Sequence, residues 1–345
     1  VNVPVSAWFP TVITQLLAGS DLESEAARQA LGDLLDGRCD EIEAVALLVA
    51  LRAKGESPAE LAETALALRA RMIPIATDGI DVLDTCGTGG DGTGTFNIST
   101  ATAFVVAAAG VPVVKHGNRA VSSRSGSSEV LETLGIRLQS DPAKAKACLA
   151  HSGLAFCHAP AFHPVLHHLA TLRRRLGVRT ILNCVGPLAN PARAAYQLLG
   201  VGSRNLLDPM ARALAILGVR HAFLVCGSDG LDEVTLGGTT LVREIRDHAV
   251  TELEWRCDDF GLEPCHIAEI KAGGAEESAQ RIREILDGSE GPARRVVVAN
   301  SAAALLAAEH VPSLTVGVAR ADEALRSGRA RQVLDRHIEV SQTLS

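Results

Sequence analysis

Between Thr11 and Met72 apolar residues recur at intervals of three and four, the period of an amphipathic helix, and Gly19, Gly37 and Gly55 stand where helices would end. The sharpest start signal is Ser57-Pro58-Ala59-Glu60. Ser57 can cap the exposed amides, Pro58 suits the first helical position, and Glu60 can reach back in a capping box. Residues 1 to about 75 are therefore expected to form a helical unit. After Pro74 short β-prone runs (IDVLD, VPVVK, LAFC, YQLLGV, HAFLVC) alternate with Ala-rich helical stretches, which predicts a largely parallel sheet covered by helices. From Val234 to Trp255 the alternation of Thr and Val with Gly237-Gly238 points to antiparallel or irregular strands, and from about Ala275 helices return. The expected fold is α/β: a small helical N-terminal domain, residues 1–75, then a large α/β domain with a mostly parallel central sheet, residues 76–345. His163 to Leu176 reads as one helix too polar to cover a sheet, and residues 163–185 are expected to pack onto the N-terminal helices.

Composition narrows the class. At 345 residues and 47% hydrophobic the chain can bury a substantial core, and aromatics at 3% leave that core to Ala, Leu and Val. A net charge of -7 argues against a nucleic-acid partner, while leaving room for a local basic pocket around a small anion. Eight cysteines without C-x-x-C pairs read as buried apolar residues in a reducing compartment, which points to the cytoplasm. VNVPVSAWFP lacks a basic segment followed by an apolar one, and no uncharged apolar run approaches bilayer-spanning length, so neither secretion nor a membrane is expected.

The chemistry begins at Asp84–Thr100, DTCGTGGDGTGTFNIST. Gly87, Gly89 and Gly92 satisfy G-x-G-x-x-G, the dinucleotide-binding spacing, and a probable strand precedes them. The rest of that motif fails. Its helix should begin at the third glycine, whereas Gly92-Thr93-Gly94-Thr95 is still loop and the next helix opens near Ser99; no acidic residue follows about twenty positions on, and no Gly-Lys-Ser/Thr makes a Walker loop. What remains is a dense set of unhindered amides, then Asn97, Ser99 and Thr100 at a helix opening, a surface suited to a polyphosphate. A glycine-rich tight turn is the plain alternative.

Three further segments bear on this choice. KHGNRAVSSRSGSSEVLETLG follows the strand VPVV, with Lys115 as a point charge for phosphate, His116 and Asn118 as directional partners, and Gly117 keeping the backbone open. Two such loops leaving the carboxyl ends of parallel strands are expected to converge on one ligand. The adjacent carboxylates Asp232 and Glu233 can be held together by magnesium, or can be an exposed acidic turn. In HAPAFHPVLHHLATLRRRLGVRTILNCVGPLANP, His163 and His167 are one helical turn apart, but no Glu follows His163 and no cysteine is placed to complete a zinc site. Arg173, Arg174, Arg175 and Arg179 can be a solvated helix face, or one of them can take a carboxylate in a fork-to-fork pair.

Together these motifs, with LLVALRAKGESPAELAE before them and ANSAAALL after, resemble the anthranilate phosphoribosyltransferase family of tryptophan biosynthesis, which shares a wider family with the pyrimidine nucleoside phosphorylases. The resemblance covers nearly the whole chain. It implies the nucleoside phosphorylase/phosphoribosyltransferase fold, a homodimer joined through the helical domain, and transfer of the phosphoribosyl group of 5-phosphoribosyl diphosphate (PRPP) to the amine of anthranilate, with Mg2+. It places PRPP against Gly87, Thr88, Gly89, Gly90, Asp91, Asn97, Ser99, Thr100 and Lys115, counts Thr95, Gly117 and Ser127 among the substrate-binding residues, and puts the metal at Ser99, Asp232 and Glu233. Anthranilate is implied near His116, Asn118, His163, Arg173, Gly186 and Pro187, with Arg173 on its carboxylate. Lys115, Asn118 and Arg173 are the implied catalytic residues, and no proton acceptor is assigned.

Departures from the family pattern fall at Phe156-Cys157-His158-Ala159-Pro160 and at His167, a position implied to face the pocket, so the outer acceptor site is expected to differ. Ser278 stands where relatives often carry Asn, in a region with no evident chemistry. A transferase or nucleoside phosphorylase for another acceptor shares the donor loop, but the acceptor-side motif argues against a pyrimidine. A catalytically silent nucleic-acid-binding relative should have lost the glycines or the acidic pair and gained basic surface, and neither change is seen.

Overall fold

Four helices open the chain, α1 (Phe9–Leu17), α2 (Ser24–Leu35), α3 (Glu41–Lys54) and α4 (Pro58–Arg69). The structure, a computed structural model, describes residues 5–117 and 126–343. Ser57 Oγ accepts from the Glu60 amide at 3.2 Å and Glu60 Oε2 from the Ser57 amide at 2.8 Å, so the capping box starts α4 as its sequence predicts. The buried Glu60 is also paired with Lys54 Nζ at 3.0 Å and accepts from Leu22 N at 3.0 Å, which offsets the cost of enclosing its charge.

An alternating region follows: β1 (Leu83–Gly87), α5 (Ile98–Ala108), β2 (Val113–Gly117), α6 (Ser127–Leu134), α7 (Pro142–Ser152), β3 (Leu154–His158), α8 (Ala159–Phe162), α9 (Leu169–Leu176), α10 (Ile181–Cys184), β4 (Tyr196–Gly200), α11 (Arg204–Ile216) and β5 (His221–Gly227). The hairpin β6 (Thr240–Arg246) and β7 (Ala249–Trp255) is succeeded by α12 (Cys257–Phe260), α13 (Ala275–Leu286), α14 (Pro292–Ala307), α15 (Leu314–Arg326) and α16 (Arg329–Thr343). The sheet order is β3-β2-β1-β4-β5-β6-β7, parallel through β5 and antiparallel beyond it. Strand order therefore reverses between β1 and β4. A parallel sheet opens a crevice at the carboxyl ends of the strands where its order reverses, and the glycine loop leaves β1 at that point.

Side-chain alternation sends the strands' apolar residues to two cores. Leu198, Phe223 and Val225 join α5 and α13–α16 on one face, while Leu199, Ala222, Leu224 and Cys226 join α11 and the N-terminal helices on the other. With few aromatics, helices must approach closely, and a Cβ at Gly317 of α15 would meet the Ala302 backbone of α14 at 2.9 Å. Among the described residues no helix is long and apolar enough to cross a membrane.

Two local expectations are corrected and one is met. Pairing in β1 begins at Leu83, and Ile80 is exposed. The strands expected between Val234 and Trp255 are the antiparallel pair β6 and β7, whose turn lies at Asp247-His248, both at positive φ (49° and 66°), in a register fixed by seven cross-strand pairs. Finally, His163 to Leu176 is not one helix: His163 (φ -124°, ψ 62°) separates α8 from a 3₁₀ turn at Pro164–Leu166, because a residue before proline is kept out of the helical region.

Gly317→Val is expected to lower unfolding free energy by about 1–3 kcal/mol, the usual range for overpacking. Urea denaturation at neutral pH checks it; an unchanged midpoint would mean the α14–α15 seam can open without cost.

Candidate active site

At the reversal point the loops after β1, β4 and β5 meet. Thr88 N donates to Gly200 O at 2.8 Å, and Gly202 N donates to Thr88 Oγ1 at 3.0 Å. A Cβ at Gly200 would stand 1.6 Å from Asp232 O, so only glycine there lets the acidic segment cross the end of β4. Gly89, Gly90, Gly92 and Gly94 all have positive φ, from 62° to 75°, so the loop's amides sweep a tight curve that residues with a Cβ adopt only under strain. Asp91 stays within the loop, accepting from Thr93 N at 3.3 Å, and Thr95 pairs with Lys271 in an isolated bridge. The loop ends at α5, which begins at Ile98, as the rejection of a dinucleotide motif requires.

The acidic pair faces this helix opening. Asp232 Oδ2 accepts from Gly89 N at 3.1 Å, and Glu233 Oε1 accepts from Ser99 N at 3.0 Å. Lys115, buried in the middle of β2, donates from Nζ to Ser99 Oγ at 3.1 Å and to Thr85 O. Desolvation, then the Asp91 carboxylate, pushes Asp232 well above the usual carboxylate range. Desolvation, then Asp232, does the same to Glu233 against the pull of Lys115. Thus two carboxylates are held together with too little positive charge near them. Their exposed-turn alternative does not hold for Glu233, which is buried. Thr100 Oγ1 is enclosed with no hydrogen-bond partner among the described residues.

On the acceptor side the His116 and His163 rings meet edge-on at 4.9 Å, both buried. Burial, then His163, pushes His116 down to about 3, and burial pushes His163 down to about 4, so both are neutral at physiological pH. His116 Nε2 and both ring nitrogens of His163 lack a well-formed hydrogen bond among the described residues. Gly186 and Pro187 form a 3₁₀ turn whose Pro187 carbonyl accepts from Gln197 Nε2 at 2.8 Å. Gly117 closes on Ser127, whose Oγ occupies the place a Cβ would need. His167 is exposed and turns back to the Pro160 carbonyl at 2.9 Å instead of lining a helix face with His163. His158 Nδ1 lies 3.3 Å from Ser128 Oγ. Asn118 lies outside the described residues.

The arginine run separates by partner. Arg174 reaches Thr171 Oγ1 at 3.2 Å, Arg175 pairs with Glu41, and Arg179 donates to the Thr88 and Gly89 carbonyls. No hydrogen bond or ion pair among the described residues engages the Arg173 side chain, whose pKa is lowered by burial alone.

Comparison with known proteins bears on what this crevice serves. The glycosyl transferase family, a/b domain, matches residues 79–331, and the glycosyl transferase family, helical bundle domain, matches residues 10–72. The chain is 46% identical over 339 residues to the anthranilate phosphoribosyltransferase of Thermomicrobium roseum, covering 97% of each protein, and 44% identical to that of Acetivibrio thermocellus over 95% of each. The chain belongs to the anthranilate phosphoribosyltransferase family. The enzyme from Thermus thermophilus superposes with a TM-score of 0.89 at 40% identity, covering 96% of this chain and 99% of that one. The enzyme from Saccharomyces cerevisiae, solved in complex with PRPP and Mg, gives 0.89 at 27% identity, covering 98% and 99%.

Within this family member, several residues hold the site without having been assigned a role from the sequence. Asp84, fully buried and pushed up to about 6 by desolvation, accepts from Asn190 Nδ2 at 2.7 Å and from His116 N at 3.4 Å. Asn300 of ANSAAALL brackets Val234, accepting from its amide at 2.9 Å and donating to its carbonyl at 3.0 Å, which fixes the backbone beside Glu233. Ser278 acquires a connection to the loop: its Oγ accepts from Asn97 N at 2.9 Å and donates to Asn97 Oδ1 at 3.0 Å. Asp84, Asn97, Asn190 and Asn300 lie in segments the sequence singles out, but only their partners, distant in sequence, reveal these roles.

Raised carboxylates make the folded protein bind protons before the unfolded chain does, so their destabilisation is full above the raised pKa values and vanishes near the ordinary value of about 4. In EDTA, Asp232→Asn/Glu233→Gln should therefore melt at a higher temperature than the parent at pH 9, the gap closing as pH falls toward 4. Calorimetry across that range checks this, and a variant less stable than the parent at pH 9 would contradict it.

Proposed function

We propose that the chain transfers the 5-phosphoribosyl group of PRPP to the amine of anthranilate, releasing diphosphate and forming N-(5-phosphoribosyl)anthranilate, a step of tryptophan biosynthesis. The observation that carries this reading is the meeting of the Gly87–Gly94 loop, Ser99, Lys115, Asp232 and Glu233 at the sheet's reversal point. Diphosphate needs amides and a fixed cation, and this crevice supplies both. Binding the donor asks Gly89 N–H to exchange the Asp232 carboxylate for a phosphate oxygen, which frees that carboxylate.

The residues also fit the implied metal. Ser99 Oγ and the Asp232 and Glu233 carboxylates are hard oxygen donors, and the pair is short of positive charge. One or two carboxylates, with waters and substrate phosphate oxygens completing the shell, are the usual setting for Mg2+. When bound, Mg2+ offsets charge that grows on the leaving diphosphate. Lys115 and the positive end of α5 act on the same charge.

In the reaction the amine nitrogen bonds to the anomeric carbon as the carbon–oxygen bond to diphosphate breaks, and the nitrogen then loses a proton. The part-buried Arg173, whose side chain has no partner among the described residues, is assigned to the acceptor's carboxylate, since an enclosed guanidinium favours an anion. The neutral rings of His116 and His163, with Gly186 and Pro187, shape the aromatic slot. Asn118 is assigned to align the amine by resemblance alone. Gly90, Asp91, Asn97 and Thr100 complete the donor site on the same ground, and Thr95, Gly117 and Ser127 count among the substrate-binding residues. Residues 1–75, with 163–185 packed onto them, are assigned as the acceptor-side domain and 76–345 as the donor domain.

Following the loss of anthranilate fluorescence on mixing protein, PRPP, Mg2+ and anthranilate tests the activity; folded protein that leaves the signal unchanged would overturn it. In the same assay Arg173→Ala should raise the anthranilate KM by about tenfold or more and the PRPP KM far less, as expected for losing a charge-assisted pair. Equal effects would move the carboxylate elsewhere.

A homodimer through the helical domain, in the cytoplasm, completes the proposal. Ile42, Val45 and Val49 form a stripe on α3, beside Ile13 and Leu17 on the packed α1; Leu17, Ile42 and Val49 are exposed at 75%, 76% and 43%. Exposed apolar surface of this kind favours burial against a second copy. All eight cysteines are free thiols, in keeping with a reducing compartment. Light scattering should give twice the chain mass for the parent and the chain mass for Ile42→Asp/Val49→Asp; a dimeric variant would place the interface elsewhere.

A further inference from the structure

Arg179 lies in the short connection between α9 and α10, directly before the Thr180 cap and two residues after Gly177 ends α9. Its Nη1 donates to Gly89 O at 2.7 Å and its Nη2 to Thr88 O at 2.9 Å, a two-pronged grip on successive carbonyls ninety positions away. The amides of the same two residues point to other partners: Thr88 N to Gly200 O at 2.8 Å and Gly89 N to Asp232 Oδ2 at 3.1 Å. Gly89 has φ of 62°, and glycine takes up positive and negative φ about equally readily, so no side chain of its own fixes the orientation of its peptide planes. Something must therefore decide which face of this loop presents donors. A carbonyl oxygen turned toward a diphosphate would repel it, whereas one held by a guanidinium is turned away and its dipole is used up. No carboxylate among the described residues forms an ion pair with Arg179, so its charge is not cancelled locally and adds to the potential over the loop.

We propose that Arg179 is a positioning residue for the phosphoribosyl donor: it holds the Thr88 and Gly89 carbonyls outward so that the loop's amides face the diphosphate. Because Arg179 follows α9 in the chain by a few residues, the helix that carries Arg173 and the loop that takes the donor share one anchor. The inference rests on the transferase reading above and deepens it. It also predicts a signature opposite to that of Arg173, although both belong to one arginine run.

The test compares parent, Arg179→Gln and Arg179→Lys by steady-state kinetics with each substrate varied, by calorimetric titration of PRPP with Mg2+, and by melting temperature. Arg179→Gln should raise the PRPP KM and dissociation constant by about tenfold or more and change the anthranilate KM by less than about twofold, the loss expected for two charge-assisted bonds around one loop. Arg179→Lys, which keeps the charge but not the fork, should recover part of that loss. If Arg179→Gln does not fold, Arg179→Lys decides alone, with roughly a threefold or greater rise in the PRPP constants expected. Unchanged PRPP constants in a folded variant, or equal rises for both substrates, overturn the inference. A parent that binds no PRPP overturns the transferase reading instead, which keeps the two failures distinct.

Discussion

The backbone of Asp232 passes the end of β4 so closely that Gly200 has no room for a Cβ, and most of the site follows from that approach. A segment arriving from β5 thereby reaches the loop that leaves β1, and Gly87 yields space on its other side, where a Cβ would lie 3.0 Å from Asp232 Oδ2. Asn300 clamps the next residue but one from α14. Displacing the segment by the width of a methyl group would part Asp232 from the Gly89 amide and Glu233 from the Ser99 amide together. Because both carboxylates depend on one backbone position, they act as a unit.

What can be read from the sequence is what depends on near neighbours. Ser57 and Glu60 are three residues apart, so their mutual cap is written locally, and the five parallel strands lie within a few residues of their apolar runs. The glycine loop is separable from a dinucleotide motif because the test, where the next helix begins, is also local. Distant pairing is not readable. Asp84 with Asn190, and Ser278 with Asn97, are single polar residues whose meaning appears only when the fold brings them together. Local preference can also mislead: Gly237-Gly238 has the more turn-like composition, yet the β6–β7 register puts the bend at Asp247-His248.

Charge runs illustrate the same limit. Arg173, Arg174, Arg175 and Arg179 look interchangeable as a basic segment, yet their surroundings give the last three different partners and leave the Arg173 side chain with none among the described residues. Pro164 matters as well, since by interrupting the helix at His163 it places that ring inside against His116 and leaves His167 outside. A spacing of four is a statement about one face only while the helix is unbroken.

The core shared by α1–α4, α11 and one face of the sheet has a consequence for how the protein is made. Leu61, Ala65 and Leu68 of α4 are completely enclosed, and α11, one of the elements packed on α4, is encoded far downstream. These helices leave the ribosome before α11 does, and thus lack part of their apolar cover until much of the sheet has been synthesised. They behave in synthesis as an unfinished half, not as a module complete in itself, although their sequence reads as a self-contained helical bundle.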